Sequence, residues 1–117
     1  MRWERTIPSA AIPPGRPAAA FIGPRKVLVA RLEDGTVVAA NPRCPHQGAD
    51  LTDGGTVYMG AIDCPWHHYL YDLRTGENRY PREVFPADLA CALKPLRLLP
   101  AREEPDGYVY VGVEGEG

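Results

Sequence analysis

The spacing of apolar and polar residues along this chain predicts a protein built mainly from short β-strands. The turn sequence Glu33-Asp34-Gly35 between two apolar runs indicates one hairpin, and Met59-Gly60 marks a second. The predicted strand pairs are 26–32 with 36–40, 56–58 with 61–63, and 93–99 with 108–113 around Pro105-Asp106-Gly107. Further strands are expected at the N-terminus, at 18–22 and at 69–72, whereas 81–92 is predicted to be a loop or one short helical turn.

These elements predict a single, mainly β domain that spans residues 1–117. Short strands at regular spacing are typical of an antiparallel sandwich or barrel. The chain has 117 residues, which is enough for one modest hydrophobic core without disulfides, and no linker divides it.

Composition narrows the class of protein. The net charge is −2, which gives no indication of nucleic-acid binding. No apolar run approaches about 18 residues, and the N-terminus lacks the apolar core of a signal peptide. The three cysteines also fit a reducing compartment. We therefore expect a cytoplasmic protein that does not interact with a membrane.

The chemistry-bearing residues lie in two short, similar segments, Cys44-Pro45-His46 and Cys64-Pro65-Trp66-His67. Each segment supplies one thiol and one imidazole, so together they can hold a metal centre. A tetrahedral zinc is one candidate, although zinc-finger spacing normally pairs cysteine with cysteine and histidine with histidine. The mixed supply suits a two-iron cluster in which one iron takes both thiolates and the other takes both imidazoles.

The two segments resemble the cluster-binding loops of the Rieske [2Fe–2S] family. The resemblance rests on Cys44-Pro45-His46-Gln47-Gly48-Ala49, Cys64-Pro65-Trp66-His67, Leu70-Tyr71-Asp72 and Thr75-Gly76, and it covers roughly residues 25–112. It implies one [2Fe–2S] cluster per chain, held in a subdomain at one end of the β-structure by a first loop at about 43–50 and a second loop at about 64–69. It further implies that Cys44 and Cys64 bind the inner iron, whereas His46 and His67 bind the outer iron near the surface.

Several positions depart from the pattern of the high-potential members of that family. Ala49 and Trp66 stand where those members have two disulfide-bonded cysteines, and Tyr69 replaces a serine that donates to a cluster sulfur. Tyr71 does match the second hydroxyl donor. Because fewer donors to sulfur stabilise the reduced cluster less, we predict a reduction potential toward the low end of the roughly −150 to +300 mV range of Rieske centres. His68 replaces the usual glycine after the second histidine, which affects the expected backbone geometry there.

The remaining residues indicate a carrier and not an enzyme. A Rieske oxygenase needs a second iron held by two histidines and a carboxylate, but the chain has three histidines and two are committed to the cluster. No dinucleotide-binding fingerprint is present, so electrons must come from another protein. The resemblance implies a Rieske-type ferredoxin that passes electrons from a flavin-dependent reductase to a terminal oxygenase or similar enzyme.

Two other functions remain open at this point. The chain could be the small electron-transfer subunit of a larger oxidoreductase such as a nitrite reductase, or it could be a zinc-stabilised interaction module without redox activity. Cys91, the third cysteine, is predicted to be a small buried apolar residue without a role in the site.

Overall fold

A computed structural model describes residues 2–43, 50–64, 70–80 and 96–113. This part of the chain is almost entirely β, as the sequence predicts. Its strands are β1 (Arg2–Pro8), β2 (Ala18–Ile22), β3 (Arg25–Arg31), β4 (Val37–Ala40), β5 (Thr56–Tyr58), β6 (Ala61–Asp63), β7 (Leu70–Asp72), β8 (Asn78–Tyr80), β9 (Leu98–Leu99), β10 (Ala101–Glu103) and β11 (Tyr108–Val113), and one 3₁₀ turn covers Ser9–Ala11.

The strands form three antiparallel sheets. The terminal sheet has the order β1-β11-β10, the central sheet has the order β2-β3-β4-β9, and the small sheet has the order β5-β6-β7-β8. The small sheet is a meander, because each of its strands pairs with the next one along the chain. The predicted antiparallel β-architecture is therefore confirmed.

The central sheet separates two hydrophobic cores, and strand β3 contributes to both. Val27 and Val29 pack with Val109 and Val111 of β11, whereas Leu28 on the opposite face of β3 packs with residues of the small sheet. This division follows from the alternation of side chains along a strand, since neighbouring residues point to opposite faces. Because both faces of the central sheet are covered, β3 contains a continuous apolar run, and Val27, Leu28 and Val29 are fully buried.

The three predicted turns are present, but one predicted strand pairing is wrong. The 93–99 segment was expected to pair with 108–113, yet β9 within it pairs with β4 and it is β10 that pairs with β11. Pro100 explains the difference, because proline interrupts the strand and its carbonyl accepts a hydrogen bond from the Gly112 amide (2.8 Å) where the chain changes sheets. Strand β8 was not predicted from the apolar pattern. The segment 81–92, predicted to be a loop or one short helical turn, lies outside the described residues.

Carboxylates of the β3–β4 turn join the central sheet to the small sheet. Glu33 accepts hydrogen bonds from the amides of Met59 and Gly60 in the β5–β6 turn, the latter at 2.9 Å. Asp34 forms an ion pair with Arg74 at 3.0 Å. The two residues Met59 and Gly60 have φ values of 54° and 72°, the left-handed geometry of a tight hairpin turn, and Glu33 satisfies their outward-facing donors.

Acid should weaken this junction in a defined pH range. Hydrogen bonds from the amide and hydroxyl of Thr36, together with Arg74, lower the pKa of Asp34 from 3.8 to about 2. As the pH falls, Asp34 takes up a proton at a higher pH in the unfolded chain than in the folded protein. The contribution of the Asp34 carboxylate to folding stability is therefore complete above about pH 4 and is lost as the pH falls through about 2. We expect the urea midpoint of Asp34→Asn to depend less steeply on pH between these limits than that of wild type, and equal slopes would contradict the assignment.

Among the described residues, no helix is long and apolar enough to cross a membrane.

Candidate metal centre

The second loop leaves the small sheet between two paired strands. Strand β6 ends at Asp63, strand β7 begins at Leu70, and these two residues are antiparallel partners, so the chain between them forms a closed loop. Cys64 is the first residue of that loop. Its side chain is 0% exposed and forms no disulfide, so the structure fixes a free thiol at the boundary between the sheet and the loop.

The first loop is closed in the same way. Its ends, Arg43 and Asp50, form an isolated antiparallel bridge. The Leu51 amide donates to the Pro42 carbonyl at 2.7 Å just beyond that bridge, and the Asn41 amide donates to Arg97 at 2.8 Å just before it. Both candidate loops therefore span the same number of residues between paired ends, 44–49 in one case and 64–69 in the other, and each carries a cysteine as its first residue.

One core brings the bases of the two loops together. Leu51, which follows the first loop, belongs to the same buried cluster as Cys64 and the β6–β7 residues Ile62 and Tyr71. All four side chains are fully buried. Gly55 permits this close packing, because a Cβ atom at that position would clash with the Leu51 carbonyl oxygen and lie 3.4 Å from Cδ1 of Ile62.

Charged groups stabilise the far end of the small sheet. Asp72 accepts hydrogen bonds from the amides of Arg74 (2.7 Å) and Thr75 (3.1 Å) through one oxygen, and from Nε and Nη2 of Arg79 (3.0 and 2.7 Å) through the other. Partial burial favours a higher pKa of Asp72, but the Arg79 and backbone hydrogen bonds outweigh it and lower the pKa below its ordinary value. The Arg79 side chain thus supports strand β7, which follows the second loop, whereas Arg74 contributes only its backbone amide to this contact.

The described part of the chain contains one of the four predicted ligands. Cys64 is buried and free, whereas Cys44, His46 and His67 lie outside the described residues, as do Ala49, Trp66, His68, Tyr69 and Cys91. Within the described ranges, no group of three or more His, Cys, Asp or Glu side chains could hold a metal ion by itself.

The donor chemistry fits a [2Fe–2S] cluster with unlike irons. Two thiols and two imidazoles are available, and the one thiol that the structure describes is buried, as expected for the inner iron, which is shielded from water. Tyr71, which matches the family's second hydroxyl donor, is buried in the same hydrophobic cluster as Cys64. Lys26 and Asp50, which pair at the end of the first loop, were not predicted from the sequence. Only the Asp50-x-Thr52 spacing, typical of a side-chain-capped turn, could have indicated one of them.

Comparisons with known proteins agree with this geometry. A family model described as the Rieske [2Fe-2S] domain matches residues 2–87. The anthranilate 1,2-dioxygenase ferredoxin subunit of Burkholderia cepacia is 34% identical over 97 residues, which cover 83% of this chain and 79% of that protein. The solved Sphingomonas yanoikuyae B1 ferredoxin superposes with a TM-score of 0.75 at 26% identity, covering 97% of this chain and all of the other.

Larger proteins contain a similar segment. Cholesterol 7-desaturase from Xenopus laevis is 33% identical over 69 residues, which cover 59% of this chain but only 15% of the desaturase. The chain thus spans a small fraction of the length of that curated relative, and the likeness to it concerns one domain.

Proposed function

Because this chain belongs to the Rieske [2Fe-2S] domain family, we propose that it carries single electrons between a reductase and a terminal oxygenase. The observation that carries this proposal is Cys64, a buried cysteine without a disulfide that is the first residue of one of two loops of equal length. The similarity to a dioxygenase ferredoxin subunit along 79% of that subunit's length supports the same function.

In this proposal, Cys44 and Cys64 bind one iron and His46 and His67 bind the other. A bound [2Fe–2S] cluster accepts and releases one electron, and the neutral imidazoles make the centre less negative than four thiolates would, which raises its reduction potential. The protein keeps Cys64 dry, since this residue lies in one buried cluster with Leu51, Ile62 and Tyr71. The histidine-bound iron would be the one through which an electron enters or leaves, as the resemblance to the family implies.

The partners follow from the chemistry of the chain. The sequence has no dinucleotide-binding fingerprint, so a flavin-dependent or similar reductase supplies the electron. The acceptor is the oxygenase component of a multicomponent system, as the name of the ferredoxin subunit from Burkholderia cepacia suggests for that protein. The chain itself is not the catalyst, and it acts in the cytoplasm.

Spectroscopy of anaerobically purified protein tests the cofactor. We expect a red-brown protein that bleaches partly with dithionite, whereas zinc-stabilised protein would be colourless. We also expect a redox titration to give a potential below about +150 mV, since a disulfide and the serine donor of high-potential members are missing. A colourless protein would contradict the carrier function, and a higher potential would contradict the assignment to the low-potential class.

Histidine substitutions test the ligands separately. The variants His46→Ala and His67→Ala should each lose the cluster or change its visible spectrum, because each removes a ligand of the outer iron. His68→Ala, next to the second ligand, is the matched control and should keep the wild-type spectrum. The assignment would be wrong if both ligand variants kept an unchanged spectrum.

A further inference from the structure

Asp50 is the last residue of the first loop, and its carboxylate is fully engaged. One oxygen accepts hydrogen bonds from the amide and the hydroxyl of Thr52, at 2.9 and 2.6 Å. The other oxygen forms an ion pair with Nζ of Lys26 at 2.5 Å. The Thr52 contacts shape the local turn, whereas the Lys26 contact joins residues that are 24 positions apart.

The Lys26–Asp50 pair is only partly open to solvent. The Lys26 and Asp50 side chains are 33% and 28% exposed, less than the 49% and 53% of Arg74 and Asp34. Burial favours a higher pKa of Asp50, but the hydrogen bonds from Lys26 and Thr52 more than offset it and lower the pKa. The Asp50 carboxylate is therefore ionised at neutral pH, and its contact with Lys26 is only partly exposed to solvent.

Lys26 is anchored on a strand that cannot easily move. It lies in β3 directly before Val27 and Leu28, which are both fully buried. By the alternation of a strand, Lys26 points to the same face as Leu28, and Leu28 packs in the cluster that contains Cys64. One strand thus contacts both halves of the candidate metal site, the first loop through an ion pair and the base of the second loop through the core.

We propose that Lys26 and Asp50 are positioning residues that hold the first loop at a fixed distance from Cys64. This inference rests on the proposed function, since it assumes that the two loops share one cluster. Leu51 packs in the hydrophobic core directly after the loop, and the neighbouring ion pair fixes Asp50, where the chain leaves the loop. Without the pair, the end of the loop that carries Cys44 and His46 would lose its described side-chain contact with β3.

The test compares the release of iron from cluster-loaded variants. Lys26→Met and Asp50→Asn should each lose the visible absorbance of the cluster in the presence of an iron chelator about fivefold faster than wild type, the upper range for an ion pair with partial exposure. Lys26→Arg restores the charge and should stay within about twofold of wild type. The double variant Lys26→Met/Asp50→Asn should release iron about as fast as either single variant, because both break the same contact.

The control is Arg74→Met, which breaks the Arg74–Asp34 pair at the end of the small sheet away from both loops. It should leave the release rate and the EPR line shape of the reduced cluster unchanged, whereas Lys26→Met and Asp50→Asn should both broaden that line shape. A purely electrostatic effect would instead shift the reduction potential in opposite directions in the two variants and leave the release rates unchanged.

Each outcome bears on a different claim. Release rates of Lys26→Met and Asp50→Asn equal to wild type, or an equally fast release from Arg74→Met, would overturn the positioning role while leaving the proposed function intact. If wild-type protein holds no iron–sulfur cluster at all, the proposed function fails, and the positioning role fails with it.

Discussion

Replacing Cys64 with serine should give a colourless protein with at least tenfold less iron than wild type, the minimum loss we expect when a direct ligand is removed. The thiol is fully buried at the end of β6, so the shorter, polar hydroxyl would both lose the iron bond and stand unpaired in an apolar cluster. Because metal binding and folding are coupled, the thermal midpoint should fall as well. Iron analysis and a thermal melt of the same preparation measure both effects.

Cys91→Ser provides the matched control for this substitution. This variant likewise replaces a cysteine sulfur with oxygen, and the sequence assigns Cys91 no role in the site. Its iron content should equal that of wild type. Normal iron content in Cys64→Ser, or an equal loss in Cys91→Ser, would show that Cys64 is not a ligand.

Replacing Gly55 with alanine should destabilise the protein by about 2–3 kcal/mol and lower its iron content, because the new methyl group has no space. A Cβ atom at Gly55 would clash with the Leu51 carbonyl oxygen and lie 3.3 Å from the Leu51 carbonyl carbon. Backbone atoms cannot move aside as a flexible side chain can. The strain therefore displaces Leu51 and with it the end of the first loop, which chemical denaturation and iron analysis should detect together.

Gly107→Ala distinguishes this steric effect from a general cost of replacing glycine. No atom lies within 4 Å of a Cβ at Gly107, and its φ of +86° makes the backbone conformation the main cost of that substitution. This variant should lose about 1–2 kcal/mol and keep its full iron content, since the β10–β11 turn is part of the terminal sheet. If Gly55→Ala retained wild-type stability and iron, the close contact with Leu51 would not matter for the site.

Local sequence features predicted the parts of the fold that local interactions determine. The turns at 33–35, 59–60 and 105–107 depend on a few adjacent residues, and the strands of the first two hairpins were located within one residue. The partner of the 93–99 segment was wrong because apolar periodicity does not specify which sheet a strand joins. Pro100 was the available indication, since proline marks a break in a strand.

The candidate site shows the same division between local and long-range information. The ligand types and their spacing are local, so the sequence alone suffices to predict which residues bind the metal. The support of the first loop depends on Lys26 and Asp50, which meet only because β3 and the loop end are packed together in three dimensions. The position of Lys26 near the start of a strand and that of Asp50 at the end of a loop do not indicate from the sequence that the two side chains form a pair.

The content of iron and acid-labile sulfide in anaerobically purified protein tests the central claim most directly. The claim is that Cys44, His46, Cys64 and His67 hold one [2Fe–2S] cluster, so the protein should contain two irons and two sulfides per chain. One zinc per chain without sulfide, or neither metal nor sulfide, would contradict the claim and with it the function as an electron carrier.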